Sequence, residues 1–276
     1  MKKTLLFFVV AIQLLAFQAY GDTVVGIHGF ITDWRSLKPI EHVLGRMGLN
    51  VYLWNYPCRR KFISEHGCDL VRTLQEIAGN CPGRPIHFVT HSTGALVLRS
   101  ALSAPNCPME AKMGRAVLLA PPNQGCGLAR HFRDCPPFQF AMGDKTGWEL
   151  LNYGPCEMAQ LGMFPSSMDV LVIAGTKGGT RTWFCEPNDG FLTVEETWLN
   201  TPFWVQSYPV THGDMMKNHC VLCCMKKFIR GWYCDPKSAC TDSGSCGKTI
   251  IDCPKQVDVC YPEAGECFHS SELEQP

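Results

Sequence analysis

The sequence predicts an α/β fold with a mostly parallel sheet of about six strands and helices on both faces. Short apolar, β-branched runs alternate with segments of helical periodicity between residues 22 and 232. The intervals between these runs suit right-handed crossover connections, which place neighbouring strands parallel. The composition, 46% hydrophobic and 18% charged, is sufficient for one sizeable core with a small appendage.

The predicted elements follow from apolar patterns and from the residues that end them. The strands, in chain order, are 22–27, 50–54, 85–89, 115–119, 170–174 and 203–210. The first helix is capped by Asp33 and ends at Gly48, the next begins at Ser64, a third contains Ala95 and Ala101, and the last runs to Trp232. We expect these elements to form one domain over residues 22–232.

Residues 126–162 depart from this alternation. The segment combines short helical stretches with many large apolar side chains, and it is longer than an ordinary connection between sheet elements. Two interpretations stay open: a lid or cap that presents apolar side chains to a lipid-like substrate, or ordinary helices packed on the sheet.

Residues 1–21 predict a signal peptide. Two lysines precede an apolar run, Leu5 to Phe17, which is shorter than the ~20 residues that a membrane span requires. Ala19 and Gly21 are small and suit cleavage after Gly21. The alternative is a buried N-terminal strand or helix. We expect an exported protein that is secreted, periplasmic or associated with the cell envelope.

Seventeen cysteines in an exported chain predict a disulfide framework. The odd number leaves at least one thiol free or in an intermolecular disulfide. Nine cysteines lie in the last quarter, and we expect residues 233–276 to form a small, cysteine-rich, disulfide-stapled appendage. The stretch His219-Cys220-x-x-Cys223-Cys224 imitates a zinc knuckle, but no second cluster with histidines at finger-like spacing follows, so we predict no metal.

The charge balance argues against a nucleic-acid partner. Lysine plus arginine and aspartate plus glutamate both number 25, so the formal net charge is zero. A zero net charge provides no general attraction to nucleic acid or to an anionic surface.

The stretch from Phe88 to Val97 predicts a strand, a tight turn at Ser92 and a helix. A serine on such a turn holds its hydroxyl above the sheet edge, where the N–H of Thr93 and the helix N-terminus point. Thr90 stands where a nucleophile elbow usually has its first glycine, which weakens the match. By itself the pattern also fits a serine that caps a helix.

Further polar residues follow other predicted strands. Gly29 lets the chain bend after the first strand and leaves the Phe30 N–H as a candidate oxyanion donor. We interpret His28 as a structural histidine bonded to a loop carbonyl, in preference to a catalytic one. Asp189 and His212 follow the last two strands, so both loops face the sheet edge that carries Ser92.

Alternatives stay open for the acid and the base. Asp189-Gly190 is also an ordinary turn dipeptide, and Glu186, Glu195 or Asp214 could be the acid. His91 competes with His212, although it lies beside the nucleophile and would point the wrong way from a sharp turn.

The chain order Ser92, Asp189, His212 is that of the α/β-hydrolase triad. From 22 to 232 the chain resembles the compact bacterial lipase and esterase branch of the α/β-hydrolases. The stretches that carry this resemblance are Val25-Gly26-Ile27-His28-Gly29-Phe30, Thr90-His91-Ser92-Thr93-Gly94, Ala120-Pro121-Pro122-Asn123-Gln124-Gly125, Asn188-Asp189-Gly190 and Thr211-His212. The cysteine-rich tail has no counterpart in it.

The resemblance implies a role for each residue. Ser92 would be the nucleophile, His212 the general base and Asp189 the carboxylate that orients the imidazole. The N–H groups of Phe30 and Thr93 would stabilise the oxyanion, and no metal or cofactor is implied.

The expected function is that of an exported serine hydrolase that cleaves carboxylic esters of lipids or other apolar acyl groups, with contact to a membrane or lipid surface. An acyltransferase or thioesterase would use the same residues. The competing class is a non-catalytic envelope or binding protein that kept the fold.

Overall fold

The computed structural model describes residues 21–178, 184 and 186–232. The expected signal peptide and the cysteine-rich tail therefore lie outside the described residues. The strands are β1 (Thr23–Ile27), β2 (Asn50–Trp54), β3 (Ile86–His91), β4 (Arg115–Leu119), β5 (Asp169–Gly175) and β6 (Trp204–Tyr208). They form one six-stranded sheet in the order β2-β1-β3-β4-β5-β6, and every pairing is parallel. This confirms the predicted sheet.

Helices connect the strands. They are α1 (Lys38–Gly45), α2 (Ile63–Asn80), α3 (Gly94–Ser103), α4 (Met109–Lys112), α5 (Gly127–His131), α6 (Pro136–Met142), α7 (Thr146–Asn152), α8 (Pro155–Gln160) and α9 (His219–Ile229). Short 3₁₀ turns precede α1 at Trp34–Leu37 and lie between β5 and β6 at Glu195–Thr197. As predicted, Asp33 is a cap, and its carboxylate accepts from the Arg35 N–H at 2.8 Å.

Alternate residues of the strands enter two separate cores, as expected for a sheet covered on both faces. On one face, side chains such as Val25 and Phe88 pack with α2, α3 and part of residues 126–162. On the other, Val24 and Val89 pack with α1 and α9. None of the helices in the described ranges has the length and apolar character needed to span a bilayer.

Segment 126–162 forms four short helices, α5 to α8, between β4 and β5. Part of it is firmly attached, because the buried Glu149 on α7 accepts the Ile63 N–H of α2 at 2.7 Å. The buried guanidinium of Arg99 on α3 donates to the Met158 carbonyl at 2.7 Å. In contrast, Phe140 on α6 is 86% exposed. The segment thus has an anchored portion and an exposed apolar portion.

The cysteines of the described part include seven free thiols. They are Cys58, Cys68, Cys81, Cys107, Cys126, Cys135 and Cys220. Cys58 and Cys107 are buried, and they contribute to the apolar core beside α2 and α3 as small hydrophobic side chains. The disulfides expected for the tail concern residues outside the described ranges.

Candidate active site

Ser92 lies on the turn between β3 and α3, at the carboxyl edge of the sheet. Its backbone φ is +51°, in a left-handed region that non-glycine residues rarely adopt. The Ser92 N–H donates to the Leu119 carbonyl at 2.8 Å, which ties the turn to the end of β4. Strain held in this way by surrounding structure is typical of functional sites. The turn has the geometry of a nucleophile elbow.

Two glycines supply the close approach that this elbow needs. A Cβ on Gly94 would lie 2.5 Å from the Ile27 carbonyl oxygen and 2.7 Å from that of His28. A Cβ on Gly29 would lie 3.0 Å from the Cβ of Ser92. Thr90 lies inside β3, opposite Ile27 in the register, so a side chain is accommodated there. The close approach of the backbones therefore requires glycine at positions 94 and 29. It does not require glycine at position 90, where the motif usually has its first glycine.

The structure brings Asp189 and His212 together. Nδ1 of His212 lies 2.7 Å from Oδ2 of Asp189, and the His212 N–H donates to the Asp189 backbone carbonyl at 2.9 Å. The other carboxylate oxygen, Oδ1, accepts the N–H groups of Phe191 at 2.9 Å and Leu192 at 2.8 Å. Asp189 is only 2% exposed, so the carboxylate is held rigidly toward the imidazole.

A close passage of the chain places this carboxylate. Gly175 ends β5, and a Cβ there would lie 2.7 Å from the Cβ of Asp189 and 2.5 Å from the Val210 carbonyl oxygen. The Gly178 N–H donates to the Asn188 carbonyl at 2.7 Å. The loop that carries Asp189 is therefore folded back onto the end of β5, close to the chain that leads to His212.

The turn that carries Ser92 and the loop that carries His212 also meet. The His91 ring, next to Ser92 in the chain, lies 4.8 Å from the His212 ring, and its Nε2 is 3.1 Å from the His212 carbonyl oxygen. Within the described residues the Ser92 hydroxyl makes no hydrogen bond. Catalytic hydrogen bonds of this kind are often long without substrate and tighten in the complex.

The alternative base, His91, is buried beside His212. Burial, with a smaller contribution from the nearby His212, lowers the pKa of His91 to about 3. Its ring contacts the imidazole of His212, and the expectation that it points away from the reactive centre stays a prediction.

The predicted oxyanion donors belong to residues next to the Ser92 turn: Thr93 follows Ser92 in the chain, and Phe30 follows Gly29, where a Cβ would lie 3.0 Å from the Cβ of Ser92. Phe30 is in the turn after β1, and Thr93 is the buried residue that precedes α3. Neither N–H donates to another group of the described chain. A pair of unused backbone donors beside a strained serine is what an oxyanion hole requires.

His28 supports the loop that carries Phe30, in agreement with the structural interpretation. Its Nδ1 donates to the Gly29 carbonyl at 2.9 Å, and its Nε2 accepts the Tyr56 N–H at 3.3 Å. The two rings stack with centroids 4.3 Å apart. Burial lowers the pKa of His28, which favours this neutral form.

The alternative acids are surface residues. Glu186 and Glu195 are exposed, and Asp214 is exposed and accepts the Thr211 hydroxyl at 2.7 Å. Among the described residues, only Asp189 forms an ion pair with His212. The zinc-knuckle stretch lies on α9, and no group of three or more potential metal ligands occurs within the described ranges.

Glu196 is a residue of this site that the sequence did not indicate. Its carboxylate accepts the Thr193 N–H at 2.9 Å and also the Gly127 N–H, and it lies 4.0 Å from the Arg130 guanidinium. Burial raises the pKa of Glu196. The residue links the start of segment 126–162 to the loop that carries Asp189, beside a cleft of about 580 Å³.

Solved structures of known proteins resemble this chain in fold. No family model matches the chain, and no curated protein sequence matches it. The mature form of the Bacillus licheniformis lipase BlEst2 is 18% identical, with a TM-score of 0.63 over 76% of this chain and 92% of that one. Its propeptide form has the same identity and TM-score, and the chain spans 50% of that longer protein.

Other matching structures have a similar core. The Pyrococcus furiosus esterase Pf2001 is 16% identical, with a TM-score of 0.51 over 77% of this chain and 82% of that one. Phospholipase PlaB from Legionella pneumophila is 18% identical, with a TM-score of 0.50 over 65% of this chain and 46% of that one. These likenesses define the class of fold. The chain has the α/β-hydrolase fold, with a six-stranded parallel sheet.

Proposed function

We propose that this chain is a serine hydrolase that cleaves carboxylic esters through Ser92, His212 and Asp189. The observation that carries the proposal is the Asp189–His212 pair, 2.7 Å apart, on the loops next to a serine in a strained elbow. The lipase and esterase structures that share the fold support the same class of reaction.

In the proposed reaction, Nε2 of His212 takes the proton of the Ser92 hydroxyl as Oγ attacks the ester carbonyl carbon. The new C–O bond leaves a negative charge on the carbonyl oxygen, which the Phe30 and Thr93 N–H groups stabilise by about 3 kcal/mol each. The tetrahedral intermediate collapses, and the alcohol leaves with the proton that His212 returns. Water, activated by His212, then attacks the acyl-enzyme by the same steps and releases the carboxylic acid.

Asp189 has two tasks in this scheme. It holds the hydrogen of His212 on Nδ1, which leaves Nε2 free to accept a proton, and it stabilises the imidazolium that forms. The two N–H groups on Oδ1 prevent the carboxylate from rotating away.

We propose lipid or other apolar acyl esters as substrates. Phe191, whose ring lies 5.1 Å from the His212 ring, is 57% exposed, and Ile31 in the oxyanion loop is 62% exposed. Apolar side chains left in solvent beside a reactive centre favour an apolar substrate or surface. Segment 126–162, which adds the exposed Phe140, would serve as a cap and contact a lipid surface.

The outer parts of the chain enter the proposal as well. We propose that residues 1–21 direct export and that residues 233–276 form a disulfide-stapled appendage after the catalytic domain. Non-reducing mass spectrometry of the exported protein tests both. We expect a mature N-terminus at Asp22 and disulfides within the tail; a retained leader or fully reduced tail cysteines would contradict the respective proposal.

The test of the function is covalent labelling with a fluorophosphonate together with hydrolysis of p-nitrophenyl esters. We expect the label on Ser92 and a fall in kcat of about 10⁶-fold in Ser92→Ala. Ser64→Ala, which changes an exposed serine on α2, is the control and should keep both signals.

Two other results would decide against simple ester hydrolysis. A native protein that resists the label, with ester hydrolysis unchanged in Ser92→Ala, would leave the non-catalytic binding protein as the interpretation. A labelled Ser92 with faster transfer of the acyl group to an added alcohol or thiol than to water would assign the same site to an acyltransferase.

A further inference from the structure

His91 connects the nucleophile turn to the loop of the general base. It is the last residue of β3, directly before Ser92, and only 3% of it is exposed. Its Nε2 lies 3.1 Å from the His212 carbonyl oxygen. Because a carbonyl only accepts, Nε2 carries the hydrogen and His91 is the donor. In the neutral ring, Nδ1 is then bare, and it has no partner among the described residues.

Other contacts of His212 come from the acid loop. Its N–H and its Nδ1 both bond to Asp189, and its ring contacts Phe191. Within the described residues, the hydrogen bond from His91 is the one that joins His212 to the β3 turn. His212 lies outside regular secondary structure, between β6 and α9, so its backbone depends on such bonds for its position.

We propose that His91 is a positioning residue that sets the distance and angle between His212 and Ser92. The inference rests on the proposed function, since it assigns His91 a part in the same reaction. The two loops approach the reactive centre from different strands, and a displacement of about 1 Å between catalytic groups can cost about 100-fold in rate. A bond from the residue next to the nucleophile to the backbone of the base limits that displacement directly.

The full burial of His91 suits this task. A charged neighbour 4.8 Å away would oppose the imidazolium that His212 becomes during the reaction. Burial disfavours the charged form of His91, so the ring stays a neutral donor while His212 gains and loses its proton. A lysine or arginine could donate the same bond but would add this repulsion.

The experiment compares His91→Leu with His91→Gln on two esters. Leucine removes the donor at similar volume, and glutamine keeps an N–H near the position of Nε2. The p-nitrophenolate group leaves its ester without help from an acid. The alcohol of an alkyl ester leaves only when it receives the proton of His212. For His91→Leu we expect kcat/KM to fall about 100-fold on the alkyl ester and about tenfold on the p-nitrophenyl ester, through kcat more than KM.

His91→Gln should recover activity to within about threefold of the wild type on both esters, since it restores the donor. Asp214→Asn is the matched control, because it changes an exposed side chain of the loop that carries His212 and leaves the hydrogen bond from His91 in place. It should stay within about twofold of the wild type on both esters. An equal loss on both esters in His91→Leu, or no recovery in His91→Gln, would overturn the positioning role.

Folding and function can be separated in this experiment. Circular dichroism and thermal unfolding establish that each variant is folded. If His91→Leu does not fold, His91→Met makes the same comparison with a more adaptable side chain, and its results count in the same way. A wild-type protein that neither labels at Ser92 nor cleaves esters refutes the proposed function, whereas an active wild type with an equally active His91→Leu refutes only the role of His91.

Discussion

The Ser92 turn and the loops that carry Asp189 and His212 are held by different means. The turn lies between a buried strand and a buried helix, and glycine contacts with β1 leave it no room to move. The loops that carry Asp189 and His212 contain little regular structure and depend on hydrogen bonds between side chains and backbone. Steric changes should therefore damage the turn, and changes in hydrogen bonding should damage the loops.

Among the changes that compare these two regions, Asp189→Asn has the largest expected effect, and it tests the loops. The amide is almost the same size, but its N–H₂ group would face His212 and favour the tautomer with hydrogen on Nε2, which cannot accept a proton. We expect kcat for ester hydrolysis to fall about 10⁴-fold with a small change in stability.

Asp214→Asn is the control for this prediction, since it changes an exposed carboxylate that bonds to Thr211 instead. We expect it to stay within about twofold of the wild-type kcat. A larger loss of kcat in Asp214→Asn than in Asp189→Asn would identify Asp214, and not Asp189, as the acid.

A smaller effect, and of a different kind, is expected for Gly94→Ala at the turn. The added methyl would lie 2.5 Å from the Ile27 carbonyl oxygen, a contact that only a backbone shift can relieve. We expect a loss of about 2 kcal/mol in the free energy of unfolding, measured with urea, and a reduced labelling rate at Ser92.

The matched change is Gly79→Ala, on the exposed side of α2, where a Cβ meets nothing within 4 Å. That variant should be more stable by about 0.5 kcal/mol, because alanine favours the helix. If both variants behave alike, helix propensity explains the result and the steric account of the turn fails.

The smallest predicted effect concerns Thr90, the residue that replaces the expected glycine. Its Oγ1 is buried and has no partner within the described chain. Thr90→Val removes this hydroxyl and should raise the free energy of unfolding by about 1 kcal/mol.

In Thr197→Val the same replacement removes a hydroxyl that donates to the Val194 carbonyl at 2.6 Å, so stability should fall by about 1 kcal/mol. Urea denaturation of the two variants gives the comparison. A loss of stability in Thr90→Val would mean that the Thr90 hydroxyl has a partner, such as an ordered water.

The parts of the site that the sequence predicts are those with a local signal. An apolar strand, a Ser-x-Gly turn and an apolar helix occur within a few residues, so the elbow at Ser92 can be predicted from its own neighbourhood. The assignment of Asp189 and His212 depended on chain order and on a family resemblance, because nothing beside either residue distinguishes it from an ordinary turn.

The contacts that the sequence does not reveal join residues far apart in the chain. The bond from His91 to His212 spans 121 positions, that from Ile63 to Glu149 spans 86, and that from Gly127 to Glu196 spans 69. Each partner is selected by the packing of whole helices and strands. No periodicity or short motif encodes that choice.

The positive φ of Ser92 also affects the selection of more thermostable variants of this protein. A side chain in that conformation costs on the order of 1–2 kcal/mol, a cost that glycine largely avoids. Selection for thermal stability alone would therefore favour glycine at position 92 and would remove the proposed nucleophile in the process. A screen for more thermostable variants of this protein therefore has to measure catalysis as well, because at this residue stability and activity select different amino acids.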